Sequence, residues 1–117
     1  MIFYQNVKEF NNVSVNYIVK EIYMQQLLPQ INYIMPAKKG VKFTIEYLNS
    51  YIAKNDCKNM NVDISFMNVI DACYVSTICS AKHYTRYPDG KICWKISSEL
   101  VKELNKDLSL GNEEYVL

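Results

Sequence analysis

A cysteine and a histidine four residues apart, Cys79 and His83, are the pair in this chain best spaced for nucleophilic chemistry. On a helix, residues i and i+4 share a face, and a thiol nucleophile needs an imidazole within hydrogen-bond reach. His83 is the sole histidine, and neither an orienting carboxylate nor an oxyanion-hole motif accompanies the pair. The chain therefore reads as a non-enzyme, with a Cys79–His83 thiol enzyme as a minor alternative. Two ligands do not make a zinc site, and Cys57 and Cys93 stand at no useful spacing, so no metal is expected. The carboxylate pairs Asp56/Asp63 and Glu113/Glu114 have no spacing that points to acid–base work. With only 3 glycines and neither GxxxxGK[ST] nor GxGxxG, a phosphate-cradling loop and its cofactors are not expected either.

The densest polar-aromatic stretch runs from His83 to Lys91. Tyr84, Arg86, Tyr87, Asp89 and Lys91 supply residue types that anchor protein interfaces. Interleaved aromatic and basic groups could also stack on single-stranded nucleic acid. The plainer reading is a basic helix C-terminus followed by a tyrosine-packed turn. A second candidate lies upstream, where Asn68 and Asp71 precede an apolar run. A carboxylate there is favoured by the helix dipole and accepts from free amides, so a cap is the plain reading and partner binding the sharper one.

Around these residues the composition is that of one small globular domain. The 117 residues are 50% hydrophobic and 21% charged, enough to bury roughly two-thirds of the unfolded surface. A formal net charge of +1 provides no global field for nucleic acid or anionic membrane. The N-terminus MIFYQNVKEF lacks the layout of a signal peptide, and no apolar run is long enough to span a bilayer. The four cysteines (Cys57, Cys73, Cys79, Cys93) sit within apolar patterns without CxxC spacing, which reads as reduced, mostly buried thiols of a cytoplasmic protein. Ten tyrosines and abundant Asn, Ile and Lys fit an AT-rich bacterial or mobile-element origin.

The elements that must position these groups follow from periodicity. Residues 2–7 read as a short strand. Val15, Ile18, Val19 and Ile22 predict a helix over 15–28, capped by Ser14 and stopped by Pro29. Residues 41–55 are two-sided: Val41, Phe43, Ile45 and Tyr47 alternate as in a strand, whereas Ile45, Leu48 and Ile52 recur at helical spacing. A helix from Thr44 to Lys54 is the preferred reading, with a strand at 41–46 as the alternative. Asn61–Phe66 predicts a strand, with Val62, Ile64 and Phe66 on one face. Ile70, Cys73, Tyr74, Thr77, Ile78 and Ala81 predict a helix to Tyr84, starting near Asn68 or Asp71. A turn at Tyr87–Gly90 leads to a strand at Lys91–Ile96 that carries a core Trp94. Ser97 or Ser98 then caps a helix with the stripe Leu100, Val101, Leu104 and Leu108. Gly111–Asn112 ends it, before an edge strand in EEYVL. This alternation predicts an α/β fold with a small, mostly parallel sheet and flanking helices. The domain is expected to span 1–117, with 1–40 as a helical extension and 41–117 as the α/β core.

The run from Val62 to Cys73 (VDISFMNVIDAC) resembles the signature of STAS domains, the fold of anti-sigma-factor antagonists and sulfate-transporter tails. In that family a strand of the form hydrophobic-Asp-hydrophobic-Ser leads into Asp-Ser-Ser-Gly at a helix start. The order of elements over 44–111 is similar as well. The resemblance implies a STAS-like architecture with an added N-terminal helix, and a regulator that acts by binding protein. The family's phosphorylated serine is replaced by Cys73, and its glycine by Tyr74, so the phosphoswitch is not expected.

Together these readings predict a bacterial, protein-binding regulatory module. Its contact surface would be the Met67–Asp71 loop, the helix over 70–84 and the Tyr84–Lys91 turn. The expected partner is another protein, a second copy of the chain included, with nucleic acid disfavoured and no membrane. An inhibitor or immunity protein from a phage or mobile element, blocking a toxin or defence enzyme, is the alternative.

Overall fold

A computed structural model describes residues 31–117 of the chain. The expectations for residues 2–7 and 15–28, with the Ser14 cap and the Pro29 stop, lie outside the described residues. Strand β1 (Ile31–Ile34) is followed by helix α1 (Val41–Asn55), β2 (Asn59–Asp63) and α2 (Val69–Arg86). Strand β3 (Lys91–Lys95), α3 (Glu99–Asn105), a 3-10 turn (Lys106–Leu108) and β4 (Glu113–Val116) complete the order. The four strands lie in the order β1-β2-β3-β4, and every pair is parallel. The described residues thus form an α/β fold with a four-stranded parallel sheet and three α-helices. Successive crossovers of one hand in a sequentially ordered sheet place all three helices on the same face.

The core lies between that face and the helices. Met60, Val62 and Ile64 leading out of β2, and Ile92, Trp94 and Ile96 along β3, are buried there with Leu48, Ile52, Val75 and Val101 from the helices. The opposite face carries Tyr33, Asn61, Cys93 and Glu114 in one row across the strands.

The sheet begins earlier than the periodicity predicts. Four residues of mixed polarity, INYI, are too short to show a period, so β1 falls within the stretch expected as a helical extension. Helix α1 starts at Val41, three residues before Thr44, and the strand alternative for 41–46 does not occur. Thr44, Leu48 and Ile52 face inward, and the Thr44 hydroxyl donates to the Gly40 carbonyl at 3.1 Å. The alternation at 43 and 47 has another cause. Phe43 and Tyr47 form an aromatic ladder on the flank of the helix, with ring centroids 6.0 Å apart. Asp56, in the left-handed region at φ 52, ends the helix by donating its amide to the Ile52 carbonyl.

The strand expected at Asn61–Phe66 starts two residues earlier and ends three earlier, at Asn59–Asp63. In α2, both candidate caps take part. Asn68 is the N-cap, its Oδ1 accepting from the Asp71 amide at 2.8 Å, while its Nδ2 donates to Asp71 Oδ2 at 3.2 Å. Ser98 caps α3 by accepting from the Leu100 amide at 3.2 Å. Ser97 instead donates to the Met67 carbonyl at 3.3 Å and ties the two loops together.

Candidate interaction site

Helix α2 is assembled inside out relative to its sequence pattern. Ala72, Val75, Ser76, Cys79, Ser80 and His83 face the sheet and are buried. Most are small or polar, and each polar group has a partner. The Ser80 hydroxyl accepts from the Trp94 indole N–H at 2.8 Å, and its carbonyl accepts from Asn112 Nδ2 at 3.0 Å. The Ser76 hydroxyl donates to the Ala72 carbonyl at 2.6 Å and accepts from Asn105 Nδ2 at 2.9 Å. Small residues let the helix lie close to the large side chains of β3, above all Trp94.

The apolar stripe that predicts the helix faces the other way. Ile70 is 71% exposed and Tyr74 57% exposed, with Cys73, Thr77 and Ile78 half-buried beside them. The same inversion holds in α3, where Val101 and Asn105 are buried while Leu104 and Leu108 are 52% and 60% exposed. The expected core stripe of Leu100, Val101, Leu104 and Leu108 is therefore corrected to Val101 alone. Helix α3 ends at Asn105, so the later leucine belongs to a 3-10 turn with a different phase.

Two surface grooves flank the Ile70–Tyr74–Ile78 ridge. One, of about 580 Å³, runs between α1 and α2, with Val41 and Ile45 on one wall and Lys42, Glu46 and Asp71 along its rim. The other, of about 420 Å³, runs between α2 and α3, with Leu104 and Leu108 on its far wall. The Thr77 hydroxyl in that second groove makes no hydrogen bond among the described residues.

The loop at the carboxyl end of β2 feeds this ridge. Asp63 Oδ1 accepts from the Ser65 hydroxyl at 2.6 Å and from its amide at 2.9 Å, while Tyr33 donates to Oδ2 at 3.3 Å. The Ser65 hydroxyl leads the effects that hold the Asp63 carboxyl below its ordinary range; the Ser65 amide, Lys95 and Tyr33 act in the same direction against desolvation. Met67 is buried, and its amide donates to the Ile64 carbonyl at 2.9 Å. This anchored loop ends at Asn68, so the loop expected over Met67–Asp71 is helix from Val69 onward, and Asp71 in the first turn lines the first groove.

The remaining candidate residues lie at the far end of α2. Fifteen residues separate Asp71 from Arg86, about 22 Å along the helix axis at 1.5 Å per residue. Tyr84, Arg86 and Asp89 are exposed, but the turn itself is structural. The Tyr87 hydroxyl donates to Asp56 Oδ1, and that bond leads the causes that push the phenol above its usual pKa. The Lys91 amide meets the Lys58 carbonyl at 3.1 Å, and its Nζ donates to the Gly111 carbonyl at 3.3 Å. A methyl group at Gly90 would be driven into the Lys58 carbonyl oxygen, with His83 Cε1 only 3.0 Å away. The structure therefore brings Asn68 and Asp71 together, and Tyr84 to Lys91 together, as two separate clusters.

Cys79 and His83 share a helix face, as their spacing requires, but no hydrogen bond joins them. His83 Nε2 donates to the Cys57 carbonyl at 3.0 Å, which leaves Nδ1 to accept from Asn112 Nδ2 at 3.4 Å. Burial pushes the imidazole below its ordinary pKa and the Cys79 thiol up to about 12. That thiol stays protonated at neutral pH, so it is not an activated nucleophile. Cys57 is buried as well, while Cys73 and Cys93 are half-buried. No cluster of three or more metal-ligating side chains occurs among the described residues. No helix among them is long and apolar enough to cross a membrane.

Comparison with protein-family models, curated proteins and solved structures finds no match to the chain.

Proposed function

We propose that this chain is a non-enzymatic protein-binding module whose docking surface is the outward face of α2, with the Asn68 cap and Asp71 of the first turn at one end. The observation that carries this reading is the inverted helix: its apolar stripe, Ile70, Tyr74 and Ile78, faces outward between two grooves. Contiguous exposed apolar surface of this kind is characteristic of interaction sites. A ridge with grooves at helical spacing suits an amphipathic helix of the partner.

The STAS resemblance supports a regulator that acts by binding protein. On this reading the protein is a bacterial cytoplasmic regulator that lacks the phosphoswitch, since Cys73 occupies the serine position. The buried, protonated thiol of Cys79 and the hydrogen-bonded imidazole of His83 support a role without catalysis.

Copurification from the native host tests the proposal. A partner retained by the wild-type chain should be lost with Tyr74→Asp and kept with Arg86→Ala, both variants remaining folded by circular dichroism. Retention by Tyr74→Asp, or loss through Arg86→Ala alone, would place the surface elsewhere.

A further inference from the structure

The sheet ends at β4, which among the described residues pairs with β3 alone. The Ile92 amide donates to the Asn112 carbonyl at 3.0 Å, and the Ile96 amide to the Val116 carbonyl at 2.8 Å. In a parallel ladder that phase directs the main-chain groups of residues 112, 114 and 116 toward β3. The N–H and C=O groups of Glu113 and Tyr115 therefore point away from the sheet, along an edge with no strand paired to it among the described residues.

A groove of about 490 Å³ follows this edge. One wall is β4, with Glu113 and Glu114; the other carries Lys102 and Lys106 of α3 and the turn after it. On the helix side of the sheet Lys102 and Lys106 face Glu113, while Glu114 lies on the opposite face of the strand, so the groove carries both charge signs and matches a partner with the same pair of walls better than one of a single charge sign. Lys106 also pairs with Glu103 at 2.7 Å, and Glu113 Oε1 accepts from the Leu110 amide at 3.2 Å. Val116 and Leu117 are exposed at the same edge.

We propose that β4 pairs antiparallel with β4 of a second copy about a two-fold axis, continuing the sheet across the dimer. Such an interface is self-complementary by symmetry. The register follows from charge. An axis at Glu114 would set that residue against its own counterpart, and like charges directly opposite are unfavourable. An axis at Tyr115 sets Glu114 opposite Val116, and Glu113 opposite Leu117. Helix α3 runs against the direction of β4, so Lys102 lies toward the Val116 end of the groove. The Tyr115-centred register brings Glu113 of one copy to Lys102 of the other, twice per dimer. This interface is separate from the α2 surface and does not depend on it.

Sedimentation equilibrium of the full chain tests the proposal. The wild-type chain is expected to be a dimer, with Lys102→Glu and Glu113→Lys each weakening self-association by about tenfold or more. An equimolar mixture of the two variants should recover the dimer, because each like-charge contact is then replaced by an opposite one. A monomeric wild type, variants that associate as it does, or a mixture no better than its components would overturn it. Amide exchange supplies a readout that needs no variant: the Glu113 and Tyr115 amides should gain protection as protein concentration rises. Concentration-independent exchange at both would contradict strand pairing.

Discussion

The two faces of α2 divide the labour of a helix in an unusual way. The inward face mixes small apolar residues, Ala72, Val75 and Cys79, with polar groups that make specific hydrogen bonds: Ser76 to Asn105, Ser80 to Trp94, His83 to Cys57. The outward face bears the larger apolar side chains, Ile70, Tyr74 and Ile78, and gives the fold little in return. A helix whose larger apolar stripe is left outside is held to its sheet by the close fit of small side chains and by hydrogen bonding. Substitutions on the inward side should therefore cost stability, and those on the outward side should cost binding.

The largest stability effect is expected where the inward face ends. Gly90 packs beneath His83 against the Lys58 carbonyl, so Gly90→Ala must displace backbone, and a loss on the order of 3 kcal/mol or more is expected in urea unfolding. Ser80→Ala comes next. It leaves the Trp94 indole N–H buried without its acceptor, at a cost of about 1–3 kcal/mol by the same measurement.

A pH effect from His83 should follow. Its folded pKa is depressed below 6.5, so below that pH the unfolded chain binds the extra proton first and stability falls with pH. The contribution is fully present above 6.5 and is lost as pH falls through the folded pKa. Unfolding measured from pH 7.5 to 5 should show this slope, and His83→Gln should flatten it. The smallest effect belongs outside: Ile70→Ser should shift stability by no more than about 0.5 kcal/mol. If Ile70→Ser instead unfolded the protein as Gly90→Ala does, the contrast between the faces would fail.

Much of this architecture is legible in the sequence, and the errors have physical causes. Strands β2 and β3 and helix α2 follow from their periods, and the turn at Gly90 from its Pro-Asp-Gly sequence, although Gly90 is needed for the room it leaves the Lys58 carbonyl and not for a positive φ. Strand β1 escapes because four residues cannot display a period, and it joins the sheet through long-range pairing with β2. The orientation of α2 escapes for a different reason. Its pattern contains two stripes, and the larger side chains, not the buried ones, dominate the hydrophobic signal. The small residues Ala72, Ser76 and Ser80 recur at four-residue spacing and are the clue to close packing. The separation of Asp71 from Arg86 was available from helix length alone, once the helix was known to run unbroken to Arg86.

The central claim is that the outward stripe of α2 is covered by a protein partner. A photo-crosslinking amino acid placed at Tyr74 in the native host measures this directly, with Tyr33, 63% exposed on the other face of the sheet, as the control position. A discrete adduct of one mass from position 74 and none from position 33 is the predicted result. No adduct at 74, or the same adducts from both positions, would contradict it.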